Sequence, residues 1–257
     1  MRVIITRPEP ECSRWVSAMQ AEGLSAVALP LIEIASTPFA FDKAQSYDAF
    51  VFVSRSAVEG FFKVAPKDAL QVKRCLVSGL GTRAALIQYG LQDGFIDAPD
   101  SRSNQFDSEA LWQVASKRDW QGKRVLVVRG ANNLGEQEGR PWLADQLTAA
   151  GAVVDFVAAY ERRLPVLTEA QRAILQNPQA SDVWLFSSSQ SIEHLKLLVP
   201  LRNWKTSRAI VTHERIFISA MGAGFGDVKI TRPVLTEVVV ALKANEKRRE
   251  LSQFACD

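Results

Sequence analysis

The sequence predicts an α/β fold in which helices flank parallel sheets, assembled from two similar halves. Short β-branched apolar runs alternate with helical patterns along the chain. The runs are nearly continuous rather than alternating, as strands buried on both faces require. Whole blocks also recur at fixed spacing, the mark of a duplicated unit.

In chain order, the first half supplies strands at VIIT (3–6), SAVALP (25–30), AFVFVS (49–54), CLVS (75–78) and GFID (94–97). The second supplies RVLVV (124–128), VVDFV (153–157), VWLFS (183–187), AIVT (209–212) and VKIT (228–231). Gly23 and Gly151 close the helical stretches AMQAEG and QLTAAG, where glycine relieves the left-handed turn that ends a helix. RVIITRP at 2–8 matches RVLVVRG at 124–130, an offset of 122. YDAFVFVSRSAVEGF at 47–61 matches SDVWLFSSSQSIEHL at 181–195, an offset of 134 that persists through the next two strands. A duplication with one insertion explains both offsets. PLIEIASTPF (30–39) and AAYERRLPVL (158–167) follow the second strand of each half, start extended and meet a proline, so they predict two crossing connections. The tail KANEKRRELSQFACD predicts a solvated helix end.

Composition narrows the function classes. The 257 residues carry 31 Lys and Arg against 28 Asp and Glu, a net charge of +3, which makes no case for nucleic acid as a partner. Cys12, Cys75 and Cys256 lie far apart and the two histidines are His194 and His213, so neither a disulfide framework nor a metal site is expected. The N-terminal apolar stretch is too short for a signal peptide, and no stretch approaches the roughly 18 residues of a membrane span. The expectation is a cytoplasmic protein with reduced thiols and no membrane partner.

The strand carboxyl ends collect hydroxyls and arginines: Thr6-Arg7, Ser54-Arg55-Ser56, Gly79 to Thr82, Arg129-Gly130, Ser187 to Ser191 and Thr212 to Arg215. Each precedes a helix, and open α/β sheets bind ligands outside those ends. Hydroxyls and free backbone N–H groups there suit carboxylates or phosphates. Singly, each Ser or Thr serves as well for an N-cap. Together, with Arg83, Arg140 and Arg215 also close by, they predict an anionic ligand. GLGTRA (79–84) fits a dinucleotide fingerprint locally, with Asp97 placed 18 residues on as a ribose acid, but it follows the fourth strand of its half rather than the first. Nicotinamide binding is therefore the lesser reading, beside a plain tight strand-to-helix turn and a helix start whose free N–H groups hold an anion. No G-x-S-x-G elbow is present. Cys12 and Cys75 read as small core residues, and Asp48 and Asp182, at matching repeat positions, read as structural. Tyr160, in the extended AAYERR, either packs with its O–H satisfied or faces a cleft.

The ordered set VIITRP, FVSRSAVEGF, GLGTRAALIQYG, RPWLADQLTAAGAVV, AAYERR and LFSSSQSI spans nearly the whole chain, and it resembles the uroporphyrinogen-III synthases, which cyclise hydroxymethylbilane. The resemblance implies two flavodoxin-like parallel-sheet domains joined by a two-stranded ladder. The first domain would be 1–35 with 169–257, the inserted second 36–168, and the ladder would lie near 31–38 and 159–167. Strand 3–6 would then share a sheet with 183–187; tandem units near 1–121 and 122–257 would pair it with 49–54 instead.

The resemblance further implies a reaction without cofactors. The hydroxymethyl group leaves as water to give an azafulvene, the terminal ring is attacked at its substituted carbon to form a spiro intermediate, and rearrangement inverts that ring as the macrocycle closes. Such chemistry rests on positioning. The matched family positions are Arg7, Ser54, Thr82, Tyr160 and Ser188, with Tyr160 as general acid to the departing hydroxyl. Gly79, Arg129 and Thr212 join them as substrate-binding strand ends, since the substrate carries eight carboxylates. The implied partner is hydroxymethylbilane, bound by a monomer, with room for transient contact with the enzyme that makes it. One departure stands out: the second half has THERI where GLGT is matched, with Ile216 in place of a Thr. Contacts from that turn fall to backbone N–H groups, Thr212 or Arg215, or are absent. The departure keeps open an alternative, a non-enzymatic two-domain binder of an anionic ligand or tetrapyrrole.

Overall fold

A computed structural model describes residues 1–40, 46–100, 107–131 and 141–254. Its elements begin with β1 (Arg2–Ile5), α1 (Glu11–Ala21), β2 (Ser25–Ala28), β3 (Glu33–Ser36), β4 (Ala49–Phe52), α2 (Arg55–Phe62), β5 (Arg74–Val77) and α3 (Leu80–Gln88). There follow β6 (Ile96–Asp97), α4 (Ser108–Ala115), β7 (Arg124–Ala131), α5 (Trp142–Ala149), β8 (Val153–Arg163) and α6 (Glu169–Gln176). The chain continues with β9 (Asp182–Phe186), α7 (Ser189–Leu198), β10 (Arg208–Val211), α8 (Glu214–Gly222), β11 (Asp227–Ile230) and α9 (Leu235–Phe254). The chain divides into two compact units: Met1–Glu33 with Leu164–Asp257 (unit 1), and Ile34–Arg163 (unit 2).

Unit 1 holds a sheet ordered β11-β10-β9-β1-β2, and unit 2 a sheet ordered β3-β8-β7-β4-β5-β6. β1 pairs in parallel with both β2 and β9, so strand 3–6 shares its sheet with the distant 182–186 segment rather than with 49–52. Strands β4 and β9, central in their sheets, are buried at every residue, as their unbroken apolar runs require. β3 and β8 run side by side, and β8 is at once the ladder strand and the second strand of the unit 2 sheet.

The duplication is visible inside the cores. Phe50 and Phe52 stack at 6.3 Å in unit 2, and their repeat equivalents Trp184 and Phe186 stack at 6.1 Å in unit 1. All four are essentially excluded from solvent, and each such side chain contributes about 1.5–3 kcal/mol through burial. Gly23 and Gly151 take φ values of 78° and 92° after α1 and α5, the left-handed caps expected of them. Asp48 and Asp182 both tie strand beginnings together. Asp182 accepts two 2.8 Å bonds from the Arg2 guanidinium, and Asp48 accepts the Arg124 backbone N–H at 2.8 Å.

Each unit has a position where the strand order reverses: between β1 and β9 in unit 1, and between β7 and β4 in unit 2. These crevices are where open α/β sheets take ligands.

Candidate active site

In unit 2 the crevice is built around Tyr160. The β7–β8 register slips between Arg129 and Gly130, so that Arg129 faces Ala158 and Gly130 faces Tyr160, leaving Ala159 as a bulge. A bulge re-aims the side chain that follows it. Two glycines are cut to fit. A Cβ on Gly130 would lie 2.6 Å from Tyr160 Cζ, and one on Gly60 would lie 2.3 Å from the Ala159 carbonyl oxygen. The Tyr160 ring is thus 2% exposed, with its hydroxyl 3.1 Å from Ser54 Oγ. Ser54 caps α2, its Oγ accepting the Ala57 N–H at 3.1 Å. The half-buried Ser54 therefore fronts the phenol, and the two hydroxyls form a chain along which a proton can move.

Gly79 starts α3 with no side-chain cap, so the first N–H groups of this helix are left to whatever approaches them. Thr82 lies one turn in and is 6% exposed. Arg129 lays its guanidinium over Phe156 at 4.1 Å, and burial lowers its pKa. A cavity of about 300 Å³ opens beside it, with Val51, Ser78, Leu143 and Phe156 among its lining residues.

In unit 1 the corresponding residues are Arg7, Ser188 and Thr212. Arg7, the repeat partner of Arg129, stacks over Trp15 at 4.0 Å, and burial again lowers its pKa against the opposing pull of Glu11. Ser188 caps α7 by accepting the Gln190 N–H at 3.2 Å. Thr212 stands half-buried just before α8. The THERI departure proves to be a change of cap: His213, at the place of Gly79, accepts the Arg215 N–H on Nδ1 at 3.1 Å, while Ile216, at the place of Thr82, is 4% exposed and joins the core. The structure thus brings Ser54 and Tyr160 into contact, places Arg129 in the same unit, and sets Arg7, Ser188 and Thr212 in the other. Arg140 lies outside the described residues. A larger hollow, about 600 Å³, lies at the opposite, amino-terminal ends of the unit 1 strands and touches none of these residues.

Two readings of the sequence are settled by contacts. Asp97 binds the Arg118 and Arg74 guanidinium groups and is 6% exposed, which withdraws it from any ribose and removes the case for nicotinamide. Cys12 and Cys75 are buried core thiols, and burial pushes the Cys12 pKa up to about 12. Among the described residues no cluster of three or more His, Cys, Asp or Glu could hold a metal, and no helix is long and apolar enough to cross a membrane. Sequence reasoning missed the bulge, Gly60, Gly130 and the His213 cap. Only the last had a visible signal, its alignment with Gly79.

The family model described as uroporphyrinogen-III synthase HemD matches residues 13–220 of this chain. The chain belongs to the uroporphyrinogen-III synthase family. Curated family members agree across most of its length: the enzyme of Salmonella typhimurium is 26% identical over 250 residues, covering 90% of this chain and 94% of that one. The Escherichia coli enzyme is 26% identical over 241 residues, with the same coverage. Among solved structures, the uroporphyrinogen-III synthetase of Helicobacter pylori superposes with a TM-score of 0.62 at 18% identity, covering 95% of this chain and 99% of that one. A mutant uroporphyrinogen III synthase from Thermus thermophilus gives 0.53 at 14% identity, covering 98% and 99%. At such identities the structural matches speak for the fold, which is the two-sheet α/β architecture of this family.

Proposed function

We propose that this chain is a uroporphyrinogen-III synthase, converting hydroxymethylbilane to uroporphyrinogen III with loss of water, in tetrapyrrole biosynthesis. The observation that carries this reading is the family match across residues 13–220. The geometry is in keeping with it. Both crevices present hydroxyls, helix starts and an aromatic-backed arginine, the donor set that a polycarboxylate needs. Arg7, Ser188 and Thr212 hold carboxylates from unit 1, and Gly79, Thr82 and Arg129 hold them from unit 2, the two units serving as domains. The Ser54–Tyr160 pair delivers the proton to the departing hydroxyl, Ser54 in front and Tyr160 behind it. Water leaves, and the substituted carbon of the terminal ring attacks the resulting azafulvene to form a spiro intermediate. The bond from that carbon to its original methylene then breaks, regenerating an azafulvene on the neighbouring ring, and the unsubstituted α-carbon of the inverted ring closes onto it and loses its proton. The proton lost on aromatisation balances the one delivered, so no electrons are exchanged with a second reactant. Holding the chain ends together against free rotation supplies the selectivity. The protein acts as a cytoplasmic monomer that receives its unstable substrate from the preceding enzyme.

The non-catalytic alternative drew on THERI, and that change adds a side-chain cap at His213 where Gly79 has none, while leaving the other strand-end donors in place. Incubation with freshly made hydroxymethylbilane and separation of the product isomers tests the reading: the type III isomer is expected in excess. Formation of the type I isomer alone, at the uncatalysed rate, rules it out.

A further inference from the structure

At the start of α7, four polar atoms are buried without a hydrogen-bond partner among the described residues: Ser189 Oγ, Gln190 Oε1, Ser191 Oγ and, on the neighbouring strand end, Arg7 Nε. β1 and β9 are adjacent in the sheet, with Ile5 opposite Leu185, so Arg7 and the first turn of α7 leave the same edge side by side. Buried polar groups are nearly always paired, and a native cluster that is not calls for a reason. Ser191 is the sharpest case, at 1% exposed. It is the third residue of a ten-residue helix, three positions after its cap Ser188, and so shares that residue's face. Helical Cα–Cβ bonds lean toward the amino terminus, which carries this hydroxyl toward the open end of the helix.

The duplication provides an internal control. The offset of 134 aligns Ser188 with Ser54 and Ser191 with Ala57. Ala57 is completely buried at the same place on α2, beneath a serine cap of the same kind. Packing at this position is therefore met by a methyl group, and nothing in the fold asks for a hydroxyl.

We infer that the first turn of α7, with Ser189, Gln190, Ser191 and Arg7, is a subsite for one carboxylate of the bound tetrapyrrole, and that its hydroxyls are kept at a cost to the stability of the free protein. The inference rests on the proposed function for the identity of the ligand. Its chemistry is that of an anion received by a guanidinium, hydroxyl donors and helix N–H groups together. Gln190, whose amide can turn its NH₂ group inward, adds a further donor.

Ser191→Ala tests it, because a ligand-directed hydroxyl and a structural one predict opposite results. Removing an unmatched buried hydroxyl should raise the thermal midpoint by about 2–4 °C. The same change should raise KM for hydroxymethylbilane about 3- to 10-fold while kcat moves by less than twofold. An unchanged KM overturns the inference whatever the midpoint does. A raised KM with a lowered midpoint makes the hydroxyl structural and overturns it as well. Should the wild-type protein lack synthase activity, the proposed function fails but the subsite is still read by titrating both proteins with uroporphyrin III and following its fluorescence. Weaker binding by the variant, by the same 3- to 10-fold, upholds the subsite; equal binding, or none by the wild type, overturns it.

Discussion

The two units share a five-strand order, to which unit 2 adds β3 at one edge, and they have equivalent helix starts, yet they distribute their polar groups differently. At the first start after the crevice, unit 2 buries Ala57 and unit 1 buries Ser191. At the second, unit 2 leaves α3 uncapped at Gly79 with Thr82 behind it, whereas unit 1 caps α8 with His213 and fills the place behind it with Ile216. Gly60, which lets α2 come up against the bulge at Ala159, corresponds to His194, whose Nδ1–H donates to the Leu31 carbonyl at 2.6 Å. One copy thus became the seat of a phenol and an open helix start, the other a seat of hydroxyls. The repeat carries matching helix starts with different side chains behind them.

The largest effect expected from breaking this division is on Tyr160, which unit 1 does not duplicate. Tyr160→Phe should lower turnover about 3- to 100-fold without loss of fold. Ser54→Ala should fall in the same range, and the double variant should be no worse than the poorer single one if the two hydroxyls act as one chain. Additive losses in steady-state turnover would separate them.

A middle-sized effect concerns what the units have in common, one buried thiol each among the described residues. Cys12 donates its S–H to the Ile5 carbonyl, and burial pushes its pKa up to about 12; burial pushes the Cys75 thiol up as well. A folded-state pKa raised above the unfolded value near 8.5 means the native protein holds its proton longer, so the stabilisation is intact below about pH 8.5 and is lost as pH rises toward about 12. The urea midpoint should fall between pH 8 and 10 by the equivalent of about 2 kcal/mol per thiol, and Cys12→Ala or Cys75→Ala should each flatten the decline. If only one does so, the two cores are less alike than their packing indicates.

The smallest effect sharpens the contrast at Gly79 and His213. His213→Ala removes an exposed cap and should cost about 0.5–1 kcal/mol, read as a lower thermal midpoint, with KM unchanged within twofold. Gly79→Ala adds a methyl that meets only Thr82 Oγ1, at 3.7 Å. It should leave the midpoint in place and raise KM about 2- to 5-fold by crowding the open N–H groups. Matching phenotypes for the two variants would show that the two helix starts do the same work.

Much of this architecture could be read from the chain because the signals were local or repeated. Unbroken apolar runs located the central strands, and the offsets of 122 and 134 announced two units. The strand β3 was less visible: its EIAS has a mixed pattern and reads as a connection until β8 lies beside it. The bulge at Ala159 left no mark at all, since AAYERR carries no glycine or turn residue. Its cause is tertiary, the approach of α2 at Gly60 and the Tyr160 ring over Gly130. The strand-end placement of the candidate residues was legible as a set, because each follows an apolar run and precedes a helical pattern. Which hydroxyls are caps and which lack partners became apparent only from the bonds, as Ser188 and Ser191 illustrate, three residues apart in one motif.

The placement of β1 between β2 and β9 has a consequence for how the protein is made. The Arg2 side chain ends on Asp182, 180 residues later, and a ribosome adding about 5–20 residues per second takes on the order of ten seconds or more to travel that far. During that interval unit 2, whose residues run without interruption from Ile34 to Arg163, has everything it needs to fold. The first 33 residues do not: Val3, Ile4 and Ile5 present an unpaired apolar edge until β9 emerges to cover it. The early life of this chain is therefore a waiting period with a sticky strand at its front, and the insertion of one unit inside the other sets how long the wait lasts.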